Sequence, residues 1–85
     1  MNIYKLVLKD GRKVEGEEFY CHRDNAVRAA SRYIARGMGL KSSEVRIEDE
    51  VRYIGSRINF YDAENDDRLN DIYIEVIRTK DEVEE

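Results

Sequence analysis

The apolar positions change period twice along this chain, from alternating to helical and back. In residues 2–9 they alternate: Tyr4, Leu6 and Leu8 fall on one side of an extended segment, and Lys5, Val7 and Lys9 on the other. In residues 24–36 the period becomes helical. At about 100° per residue, Ala26, Val27, Ala30, Tyr33, Ile34 and Met38 share one arc of roughly 140°. Arg28, Arg32 and Arg36 repeat every fourth position on the opposite side. Asp24 offers an N-cap oxygen, Gly37 or Gly39 a left-handed stop, and Arg36 suits the negative end. One amphipathic helix is predicted over about residues 24–36.

The flanking segments read as strands. Asp10-Gly11 favours a type I′ hairpin turn, and residues 13–20 form a poorly patterned edge strand with Gly16 as a bulge. Glu15, Glu17 and Glu18 discourage stray pairing at such an edge. Val45 and Ile47 begin a further strand facing the core. Residues 47–58 fit two patterns. Ile47, Val51, Ile54 and Ile58 are spaced as on a helix that Ser43 would cap, yet VRYI and RINFY are β-rich and flank a Gly55-Ser56 turn. Strands are the favoured reading. Residues 62–70 form a polar loop, 71–78 a central strand apolar on both faces, and 79–85 a disordered acidic tail. The expected fold is α+β: an antiparallel sheet of about 4–6 strands with one helix on one face, in the order β-β-α-β-β with a further strand, as a single domain over 1–78.

Composition narrows the function. A chain of 85 residues buries roughly 60–65% of its unfolded surface, enough for one core layer but not for a deep, enclosed active site as well. A single cysteine fits a reducing compartment, no apolar run approaches the roughly 20 residues of a membrane span, and MNIYKLVLKD is too short in apolar residues for a signal peptide. A cytoplasmic location is expected. The net charge of −4 is uneven: residues 1–41 carry +4 and residues 42–85 carry −8. Such a split favours association with a charged partner or a second copy, unless folding mixes the two halves on one surface.

Catalytic equipment is sparse. Cys21 and His22 are the only cysteine and histidine, and as strand neighbours they point apart. Asp62, Glu64 and Asp66 alternate like a calcium loop, but Asp67 stands where glycine is required and Tyr73 where a bidentate glutamate is required. No phosphate-binding glycine loop is present, and carboxylate pairs arise by chance among nineteen acids. No enzyme activity, metal or cofactor is expected.

Two features point to binding. Six of the eight aromatics are tyrosine, of which Tyr4, Tyr33 and Tyr73 are expected to pack and Tyr20, Tyr53 and Tyr61 to be exposed. Acid clusters in residues 44–50 and 62–71. The leading expectation is a small non-enzymatic protein that engages a basic protein partner through Glu44, Glu48, Asp49, Glu50, Tyr53, Tyr61, Asp62, Glu64, Asp66 and Asp67. Its size and acidity resemble short phage and mobile-element proteins, some of which block a host protein, so an inhibitor role is included. A solvated acidic face is the simpler account of the same residues. The alternative is a nucleotide or small-ligand binder with an anion site at Arg28, Arg32, Arg36 and Tyr20, formed at a homodimer interface. Lys5, Lys9, Arg12 and Lys13 would extend the basic patch, but an isoelectric point near 5.1 opposes nucleic-acid binding.

Overall fold

The computed structural model describes residues 1–9, 14, 16–53 and 55–78. The Asp10-Gly11 turn, Arg12, Lys13, Glu15, Ile54 and the acidic tail lie outside the described residues. The fold is α+β, one helix packed on a five-stranded antiparallel sheet. The elements are β1 (Asn2–Leu8), β2 (Phe19–Tyr20), α1 (Arg23–Met38), a 3₁₀ turn (Ser42–Glu44), β3 (Val45–Arg52), β4 (Gly55–Asp62) and β5 (Asp67–Arg78). Across the sheet the order is β2-β1-β5-β4-β3, so β5 is central, as its two-sided apolar pattern implies.

The helical period holds, with different ends. Helix α1 starts at Arg23, and its N-cap is His22, not Asp24; the His22 carbonyl accepts from the Ala26 N–H at 3.2 Å, and no side chain caps the end. Asp24 sits instead in the first turn, where its charge suits the positive end of the helix. Gly39, at φ 72°, ends the helix in the left-handed conformation and donates to the Ala35 carbonyl at 3.1 Å. Gly37 stays inside the helix.

The core lies between α1 and one sheet face. Leu6 and Leu8 of β1 stand opposite Ile74 and Ile72 of β5, and Ile58 of β4 stands opposite Ile74. With Phe60 they form the buried face of the sheet. The helix answers with Ala26, Ala29, Ala30 and Ile34. Three of these are alanine, so the sheet supplies the bulk and the helix axis comes close. Val27 and Tyr33 are only half-buried and Met38 is exposed. The helix packs mainly across β1, β2 and β5, leaving β3 as an exposed edge.

The opposite face carries a row of alternating charge. Phe19, Lys5, Glu75, Arg57 and Glu50 are cross-strand neighbours from β2 to β3. Opposite charges on adjacent strands favour this register, which a two-residue slip would break. Lys5 also lies over the Phe19 ring at 5.7 Å and Arg57 over the Tyr73 ring at 4.1 Å.

Several boundaries differ from the sequence expectation. Residues 47–52 and 55–58 are strands, but Tyr53 already stands in a turn, and Gly55, at φ 151°, opens β4 opposite Arg52. The polar loop is confined to residues 63–66, because β5 begins at Asp67. Of the second strand, among the described residues, Phe19 and Tyr20 form the ladder with β1, and the Glu18 carbonyl accepts from the Leu6 N–H at 2.9 Å. Ile47 does not reach the core and is 38% exposed, because α1 does not extend over β3. Among the described residues no helix is long and apolar enough to cross a membrane.

Candidate functional site

The polar side of α1 forms one wall of a cleft. Because Arg28, Arg32 and Arg36 stack at intervals of one turn, all three reach it, and Tyr20 at the end of β2 faces them. The cleft measures about 970 Å³, with Leu8 and Ile72 lending it an apolar part. Among the described residues, no carboxylate forms an ion pair with Arg28, Arg32 or Arg36. Glu17 and Asp71 also border it, and Asp71 is within 3.9 Å of Lys9.

Tyr20 is half-buried, with its hydroxyl donating to the Glu17 carbonyl at 2.9 Å. Burial pushes the phenol pKa up, the Glu17 charge adds to this, and Arg32 works against it. The hydroxyl therefore stays a neutral donor beside the guanidinium groups.

The acidic residues are dispersed, and most have partners. Arg46 bridges Glu48 at 2.8 Å and Asp66 at 2.7 Å, and its guanidinium lies over the Tyr61 ring at 4.5 Å. Tyr61 is accordingly half-buried, not exposed. The Asp66 contact, and then Glu48, hold the Arg46 pKa above its already high value. Asp49 pairs with Arg23 at 3.1 Å, tying β3 to the start of α1. Glu50 accepts from the Asn59 amide at 2.8 Å, which holds its carboxyl below the usual range. Glu44 accepts from the Lys41 N–H at 2.8 Å and closes the 3₁₀ turn. Asp62 accepts from the Asn65 side chain at 2.9 Å and the Glu64 N–H at 3.1 Å, and these contacts depress its pKa.

These residues occupy three places. Asp62, Glu64, Asp66 and Asp67 surround the turn after β4, with Glu44 beside them through a bond from the Ala63 N–H to its carbonyl at 2.9 Å. Tyr53, fully exposed, lies at the far end of β4, an eight-residue strand or roughly 25 Å away. Glu48 and Glu50 project from the open sheet face and Asp49 from the helix side, because they alternate along β3. The counter-ions Arg23 and Arg46 were not singled out in the sequence, although Arg46 precedes Glu48 by two positions and so shares its face.

Cys21 is an exposed free thiol and His22 is the helix N-cap residue. Among the described residues, no three His, Cys, Asp or Glu side chains are grouped to hold a metal ion. Comparison with family models, curated proteins and solved structures finds no match to this chain.

Proposed function

We propose that this chain is a non-enzymatic binding protein that takes a small anionic ligand of the nucleotide class in the arginine cleft. One observation carries the reading: Arg28, Arg32, Arg36 and Tyr20 line a single cleft, and no described carboxylate pairs with any of the arginines. Guanidinium groups engage phosphate through charge-assisted, often bidentate hydrogen bonds. Leu8 and Ile72 offer apolar contact to a base or other ring. A ligand at a hundredfold excess over its Kd adds about 2.7 kcal/mol of stability. For a domain of this size that raises Tm by roughly 10–20 °C. Thermal-shift measurement with nucleoside mono- and triphosphates and pyrophosphate tests this, comparing the parent with an Arg28→Glu, Arg32→Glu variant. The variant is expected to bind about tenfold or more weakly, which at the same ligand concentration cuts the added stability to about 1.4 kcal/mol or less and the shift in proportion. A flat response from the parent, or an equal shift from the variant, removes the proposal.

A second reading, an acidic surface that engages and blocks a basic protein, is supported by the full exposure of Tyr53 and by the exposed Glu64 and Asp67. Neither carboxylate is ion-paired among the described residues. Proteins retained from cell extract on the immobilised chain would then elute as salt rises, and Glu64→Lys, Asp67→Lys would retain less. Equal retention by parent and variant rules out the electrostatic mechanism.

A further inference from the structure

The two edges of the sheet differ. One edge strand, β2, is two residues long; the other, β3, is eight residues long, with no strand or helix over its outer side among the described residues. Arg52 and Gly55 are register partners separated by two residues in the connection of β3 to β4, the spacing of a hydrogen-bonded hairpin pair. By alternation, Glu50, Glu48 and Arg46 turn their backbone groups toward β4. The Ala63 N–H to Glu44 carbonyl bond continues the same phase. Ile47, Asp49 and Val51 therefore aim their N–H and C=O groups outward, and Val45 its C=O, because its N–H is bonded to the Ser42 carbonyl. Val51 is 85% exposed and Ile47 38%, so this edge also displays apolar side chains.

We infer that β3 is an interface for a second copy of this chain, paired antiparallel about a two-fold axis at Glu48 to give a continuous ten-stranded sheet. The charge sequence selects both occupant and register. A two-fold perpendicular to the sheet keeps each copy's faces aligned, so the pairing centres on a residue. Centred on Glu48, Arg46 meets the second copy's Glu50 twice, and Glu44 meets its Arg52 twice. Val45 meets Val51, and Ile47 meets Asp49, which Arg23 already neutralises at 3.1 Å. The central Glu48 pair is like-charged, but each Glu48 is held by its own Arg46 at 2.8 Å. Centred on Asp49 instead, Arg46 would meet Arg52, Glu48 would meet Glu50, and Asp49 would meet Asp49. The outward residues of each copy then exchange about six backbone hydrogen bonds with the other, the Val45 N–H being held by Ser42. This interface does not involve the arginine cleft and stands whether or not that cleft binds a ligand.

Cross-linking in a Cys21→Ser background reads the register directly. At the two-fold, Glu48 faces its equivalent as a non-hydrogen-bonded pair with Cα atoms about 4.5 Å apart, within disulfide range. Glu48→Cys is expected to give a covalent dimer under mild oxidation. Sedimentation velocity of the parent should show a concentration-dependent dimer. Val51→Pro, which removes only an outward N–H, should abolish it while the circular dichroism stays native. Arg52→Glu should weaken it by about tenfold, because two attractive pairs become repulsive. A parent that remains monomeric at all concentrations overturns the proposal. Cross-linking through Asp49→Cys but not Glu48→Cys, or tightening by Arg52→Glu, overturns the register.

Discussion

Replacing Phe60 with alanine is expected to remove about 3–5 kcal/mol of stability, the largest effect of any single truncation in this chain. Phe60 is the largest fully buried side chain, with 0% of its surface exposed, on the helix side of β4. Truncation both forfeits its transfer free energy and leaves a cavity between α1 and the sheet. A domain of this length has a total stability of roughly 4–13 kcal/mol, so the loss consumes a large share of it. The melting temperature should fall by at least about 12 °C. Urea denaturation of the parent and of Phe60→Ala measures the difference, and a loss below about 1 kcal/mol would show that Phe60 is not packed as described.

The opposite operation, Ala30→Leu, should cost about 3 kcal/mol, the upper part of the range for overpacking. Ala30 lies mid-helix with no exposed surface, next to the equally buried Ala26. Those methyl groups let α1 settle onto a face already filled by leucine, isoleucine and phenylalanine, and a branched side chain there forces the helix away. The same exchange at Ala35, which is exposed, serves as the control and should change stability by less than about 0.5 kcal/mol. Similar losses at both positions would mean that the helix is not seated through its alanines.

What could be read in advance follows from how local each determinant is. The helix was legible because its apolar stripe, its arginine repeat and Gly39 are all encoded within one segment. Its cap was not, since Asp24 satisfies the general preference while the chain turns two residues earlier, at His22. The helix-like spacing of Ile47, Val51 and Ile58 is a coincidence of two strands folded back on one another, each placing those residues on the helix side of the sheet. The turn was displaced because Gly55 reads as a turn residue, whereas its positive φ opens β4. Residues 67–70 look like loop because they are polar. They extend β5 alongside Tyr61 and Asp62, where Leu69 packs against the margin of the core. The arginine side of the cleft was visible as a face of the helix. Its joining to Tyr20 depends on the pairing of β2 with β1, which no short window contains. The acidic residues could be enumerated, but not their partners: Asp49 to Arg23 spans 26 positions.

The pairing of Asn2 with Arg78 sets the timing of biosynthesis. Strand β1 is made first, yet its long partner β5 is made last among the described elements, and Leu6 and Leu8 gain their neighbours Ile74 and Ile72 only then. Until then Leu6 and Leu8 stand without these cross-strand neighbours. The core can close only after β5 has been made, and synthesis interrupted before it leaves a fragment without its central strand.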